Sequence, residues 1–233
     1  MWRDIDEAIA SIRSGPAPKV PVAVAVTASA GAVVAGNAVV LLQRRLGGTA
    51  GELLTTVAHP LLGLAGASVL IGAGWRRRDV GLSLPSGGTL ASVRRPALAV
   101  AWALGVAVVA TWIRGGTHDG VSDRVTVLRL MIGTALGEEL IHRAVLFPLW
   151  AATGRPSRDV GVANGVAFGA WHLAAVAPKG WGGRIAGILG PAVPGTALFL
   201  WGRCRSGSVV GSWLLHVATN LPGVVARAWS KPV

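Results

Sequence analysis

Apolar and polar positions fall in long blocks along this chain. Apolar stretches cover 20–42, 53–75, 96–113, 125–150, 160–177, 184–202 and 207–226, separated by short polar segments. A helix needs roughly 20 apolar residues to cross the hydrocarbon core of a bilayer. Most of the stretches reach or approach that length. The pattern predicts an all-α fold, a polytopic transmembrane helical bundle of about seven spans (six to eight). The stretch 160–177 is short. The stretch 184–202 contains Pro191 and Pro194 and is expected to be broken or re-entrant. Ahead of the first run, Trp2, Ile5, Ile9 and Ile12 recur at helical spacing among Arg3, Asp4, Asp6, Glu7 and Arg13. This predicts a short amphipathic helix lying on the membrane surface; the competing reading is a frayed tail. The first apolar run is too long and starts too late for a signal peptide. The organisation expected is an N-terminal amphipathic segment (1–19), one membrane-embedded bundle (20–226) and a short tail (227–233).

Composition strengthens this picture. Hydrophobic residues make up 52% of the 233 and charged residues only 14%, against about 25% charged in soluble domains. The mean hydropathy is +0.57. The formal charge of +12 would suggest nucleic acid in a soluble protein. Here the basic residues cluster between apolar runs, at Arg44-Arg45, Arg76-Arg77-Arg78 and Arg94-Arg95. That pattern suits loops facing anionic lipid headgroups, and no nucleic-acid partner is expected. Arg3, Arg13, Lys19 and the Arg-rich connection 76–95 fall on one side if the first two spans are real. The positive-inside rule then places the N-terminus in the cytoplasm. Seven spans would leave the C-terminus outside, and a broken sixth segment would reverse that. Among ten Trp, Trp75, Trp112, Trp150 and Trp201 edge apolar runs, as interfacial anchors do. The lone Cys204 permits no intrachain disulfide and reads as a small apolar filler.

The candidate chemistry lies in polar residues that interrupt the spans. Glu138, Glu139 and Arg143 sit within "GEELIHR". A charged side chain at a helix centre costs about 2.5–3.5 kcal/mol on insertion scales, so these groups are expected to face the bundle interior. Glu139 and Arg143 form an i,i+4 pair in the favourable order. Glu138 is left over, with only His142 at i+4. In "FGAWH", His172 shares a helix face with Phe168 and with the ridge Gly161, Gly165 and Gly169, which is expected to pack closely on a neighbouring helix. In "HVATN", His216 and Asn220 again share a face. A lone intramembrane His is most often a hydrogen-bonding partner between helices. Three polar constellations on three spans are buried together at low cost only if they meet.

A carboxylate beside an imidazole can deprotonate a water, and a His and an Asn can donate to an oxyanion. Those parts suffice for amide hydrolysis without a covalent intermediate. No G-x-S-x-G motif competes. Glu138, His172 and His216 also form a potential His₂Glu zinc set, though no H-E-x-x-H accompanies them.

E-E-x-x-x-R, F-x-x-x-H and H-x-x-x-N, complete and in this order over 138–220, resemble the CAAX protease and bacteriocin-processing family of intramembrane endopeptidases, also called Abi or Rce1-like. The first three spans match only in being hydrophobic. The resemblance implies that Glu138 and His172 prepare the water and that His216 and Asn220 bind the oxyanion, within a catalytic core over 125–226. Glu139, Arg143 and Phe168 would support or orient. No cofactor is expected; zinc, if present, would use Glu138, His172 and His216. The implied partners are the lipid bilayer and a membrane-associated peptide or protein, in a bacterial plasma membrane, with the number of copies left open. The eukaryotic prenylated substrate is not carried over. The alternatives are a non-catalytic immunity or sequestering protein of the same fold and a small transporter.

Overall fold

The computed structural model describes residues 1–85, 88, 91–95, 97–98, 129–177 and 180–229, with 221–229 described as backbone alone. Apart from 97–98, the expected span 96–113, with Trp112, lies outside the described residues. Among the described residues every regular element is a helix. These are α1 (Trp2–Arg13), α2 (Val22–Leu46), α3 (Gly48–Gly72), α4 (129–151), α5 (Ser157–Trp171), α6 (Leu173–Val176), α7 (Trp181–Ser206) and α8 (Val209–Trp229). Of them, α2, α3 and α7 are long and apolar enough to cross a membrane. Their outer faces present apolar side chains, including Val34, Val57, Leu61, Val69, Ile185 and Val193. Hydrocarbon is the solvent that matches such faces.

α4 occupies the middle. Gly133 lies on Thr55 and Thr56, Gly137 on His59 and Pro60, and Gly63 on Leu140 and Ile141. The numbers rise together, so α3 and α4 run parallel, with Gly137–Glu138 level with the middle of α3. α5 runs antiparallel to α7: Gly165 meets Thr196 and Ala192, while Gly169 meets Ile188 and Ala192. The ridge of small residues packs as expected, with Gly161 against Trp2 and Thr196.

Two expectations are corrected. The first concerns α1, whose apolar stripe is docked on protein rather than lying on lipid. Ile5, Ile9 and Ile12 are buried in one cluster with Trp75, Val80, Phe147, Leu149, Val160 and Leu200. Polar bonds fix the placement: Arg13 Nε donates to Ala151 O at 2.8 Å, and Asp4 accepts from Trp201 Nε1 and Arg205 Nη1, each at 3.2 Å. Ile9→Ala is therefore expected to destabilise the fold by about 2–5 kcal/mol, as buried large-to-small changes do. A thermal-melt difference within about 0.5 kcal/mol, typical of surface changes, would return α1 to the lipid surface.

The second correction concerns Pro191 and Pro194, which do not break their segment. α7 is continuous, with a π-helical turn at Gly195–Phe199. Each proline ring crowds the carbonyl four residues back. Those residues are Gly187 and Gly190, whose backbones yield most easily, and the widened turn takes up the remaining misfit.

Candidate active site

α4 carries two π-helical stretches, Arg129–Leu136 and Leu140–Leu146, around the short α segment Gly137–Glu139. Wide turns of this kind recur at functional sites. Successive residues on a helix point about 100° apart, so Glu138 and Glu139 address different neighbours. Glu139 turns towards α8 and its own Arg143. Its Oε2 lies 3.2 Å from Arg143 Nε, and its Oε1 meets His216 Nδ1 at 3.0 Å. Arg143 is fully buried. Its other nitrogens donate to Asn164 Oδ1 and, at 2.8 Å, to Gly195 O. The expected Glu139–Arg143 pair is thus present, extended by partners on α5 and α7. Asn164 also donates to His142 O at 3.0 Å.

Glu138 faces the end of α5. Trp171 Nε1 donates to its Oε1 at 3.2 Å. Its Oε2 lies 3.7 Å from His172 Nε2 and 4.0 Å from His216 Nε2. The carboxylate therefore has one oxygen anchored and one directed at two imidazoles. The His172 Nδ1 lies 2.8 Å from Phe168 O. A carbonyl can only accept, so Nδ1 carries the hydrogen, and in the neutral ring the Nε2 lone pair faces Glu138. Of the three, His172 is the most open, with a side chain 23% exposed against 4% for Glu138 and 7% for His216.

Phe168 is the hub of the surrounding rings. It lies 4.9 Å from His142, 5.2 Å from His172 and 5.9 Å from His216, with the Arg143 guanidinium 5.2 Å over its face. Phe199 stacks on His216 at 4.5 Å. Asn220 is placed differently: its Nδ2 donates to Leu130 O at 3.3 Å. The structure thus brings Glu138, Glu139, Arg143, Phe168, His172 and His216 into one cluster, while Asn220 is bonded towards the start of α4.

Several members of this site were not singled out from sequence. Asn164 sits four residues before Phe168 and eight before His172, so its face was readable from periodicity. Trp171 is adjacent to His172 within the same motif. His59 carried the signal of a mid-span polar residue; its ring now lies 4.8 Å from Trp171.

A zinc ion holds N and O ligands at about 2.0–2.2 Å, which puts neighbouring ligand atoms roughly 3.3–3.6 Å apart. The 3.7 and 4.0 Å separations around Glu138 Oε2 are wider. Among the described residues, no three His, Cys, Asp or Glu side chains are arranged to hold a metal.

Residues 120–222 match the family model described as type II CAAX prenyl endopeptidase Rce1-like. This segment, less than half of the chain, is similar to that family. It contains every motif residue from Glu138 to Asn220, and the Rce1-like family is a protease family. With three helices of spanning length, the chain is an integral membrane protein, and the matched segment starts after α3. No curated protein and no solved structure matches the chain.

Proposed function

We propose that this chain is an intramembrane endopeptidase that cleaves a membrane-associated peptide or protein with a water activated by Glu138 and His172. The observation that carries the reading is the pair of acceptors, Glu138 Oε2 and His172 Nε2, 3.7 Å apart and level with the middle of α3. A water beside them donates one hydrogen to each and presents its lone pair to a carbonyl carbon. Attack transfers a proton to this pair, which returns it to the leaving amine. His216 donates to the developing oxyanion from Nε2. Glu139 Oε1 holds Nδ1 at 3.0 Å, which fixes the orientation of the ring. Asn220 contributes its second amide hydrogen from one turn further along α8.

The ends of α1, α3, α4 and α7 meet on one face, joined by the contacts of Arg13, Asp4 and Arg203. Arg13, Arg76–Arg78, Arg155, Arg158, Arg203 and Arg205 lie near these ends. That bias supports a cytoplasmic N-terminus. Counting the span expected at 96–113, the chain would cross seven times.

The test is purified protein in nanodiscs, incubated with a library of membrane-anchored peptides, with new termini read by mass spectrometry. Internal cleavage at a defined bond supports the reading; intact peptides throughout would contradict it. The same preparation tests metal dependence. Activity is expected to survive chelation without stoichiometric zinc. Stoichiometric zinc, with loss on chelation and rescue by zinc, would replace the water-and-oxyanion assignment with a metal one.

A further inference from the structure

The helix that delivers Trp171 and His172 is interrupted at His172. α5 ends at Trp171, His172 adopts φ −90° and ψ 2°, and α6 begins at Leu173. In an unbroken helix the Ala174 N–H would bond the Ala170 carbonyl. Here the side-chain amide of Asn37, from the middle of α2, takes both ends of that rung. Its Nδ2 donates to Ala170 O at 3.1 Å, and its Oδ1 accepts from the Ala174 N–H. A side chain inserted into the i→i−4 ladder is an established cause of a kink. Nδ2 also donates to Val33 O at 2.7 Å, which ties the amide to its own helix.

The preceding residue serves the same break. Gly36 is buried, and the Trp171 ring lies where a side chain at 36 would be. Trp171 is the residue whose indole holds Glu138 Oε1. Two adjacent residues of α2 thus meet the break, Asn37 through hydrogen bonds to Ala170 and Ala174 on either side of it and Gly36 through packing on the Trp171 ring. Both lie outside residues 120–222, the segment matched to the protease family.

We propose that Gly36 and Asn37 are positioning residues that hold the break at His172 and so aim Trp171 and His172 at Glu138. The inference rests on the endopeptidase reading for its catalytic consequence, but the clamp itself can be measured without activity. Asn37→Leu keeps the side-chain size and removes both hydrogen bonds. The rung between Ala170 and Ala174 can then close on itself, which straightens the helix through His172. Displacement of a reacting group by about 1 Å can lower turnover about 10²-fold. Gly36→Ala displaces the indole that holds Glu138 by a separate route, since the added Cβ would overlap the Trp171 ring. It also raises intrinsic helix propensity, so a lower rate cannot come from a weaker α2.

The experiment compares wild type, Asn37→Leu and Gly36→Ala in nanodiscs, with Glu138→Gln as the inactive control. Steady-state kinetics are read beside hydrogen exchange of peptides covering 170–177. Both variants are expected to lose about 10- to 100-fold in kcat, with KM within about threefold. Asn37→Leu should also alter amide exchange around Ala174. Wild-type kcat in both variants, or a rise in KM at constant kcat, overturns the positioning role. Unchanged exchange in Asn37→Leu overturns the clamp. If Asn37→Leu fails to insert, Gly36→Ala alone decides through its kcat. If wild type cleaves nothing, the endopeptidase reading falls, and exchange still decides the clamp.

Discussion

Glu138→Gln is expected to lower kcat by about 10²–10⁴-fold, the range over which a positioned general base contributes, while the protein inserts and folds normally. The amide is nearly the size of the carboxylate, and its oxygen still accepts from Trp171 Nε1, the bond that anchors Glu138 Oε1. What changes is the other position. Oε2, 3.7 Å from His172 and 4.0 Å from His216, becomes either an amide nitrogen or an oxygen without charge. Neither takes a proton from water at useful rates. KM is expected to hold, because Glu138 is almost fully buried and touches the reacting water more than the substrate's ground state. Kinetics on any cleaved peptide check this. Wild-type kcat in Glu138→Gln would remove the carboxylate from the mechanism.

Arg143→Ala is expected to be the most destabilising single change in the site, by about 3–5 kcal/mol, the range for breaking a buried ion pair. Arg143 is completely buried and ties three helices. It pairs with Glu139 on α4, bonds Asn164 on α5, and bonds Gly195 O on α7. Its loss leaves the fully buried Glu139 carboxylate without its guanidinium partner. It also removes the cation over Phe168, the ring about which His142, His172 and His216 are arranged. Arg143→Lys is not expected to rescue, since one ammonium cannot span the positions a forked guanidinium reaches. Thermal unfolding in detergent and membrane abundance are the readouts, with Glu138→Ala for comparison. Equal stability of Arg143→Ala and Glu138→Ala would show that the Arg143 contacts hold little of the fold.

Much of this arrangement was legible because a membrane span tolerates few polar residues. Glu138, Glu139, Arg143, His172 and His216 stood out as interruptions, and burial requires such groups to meet. The Glu139–Arg143 pair followed from helical spacing alone, as did the packing of the Gly161–Gly165–Gly169 ridge. What stayed hidden depends on tertiary partners. The Ile5, Ile9 and Ile12 stripe has the same spacing whether lipid or protein receives it, so its docking against Phe147 and Leu200 was not readable. Pro191 and Pro194 announce a disrupted ladder but not whether a π-turn will absorb it. The π-helical stretches around Glu138 have no side-chain signature of their own. Asn37 is one polar residue among many small ones in α2, and nothing in its neighbourhood points to a rung missing more than 130 positions later.

The central claim is that a carboxylate at position 138 drives peptide-bond hydrolysis inside the membrane. It is tested most directly by comparing membrane-fraction peptide termini from cells that express, at equal levels, either the wild-type chain or Glu138→Gln. The account predicts a set of new termini present with wild type and absent with Glu138→Gln, with the uncleaved precursors accumulating in the variant. Identical termini in the two strains, with both proteins correctly inserted, would contradict it.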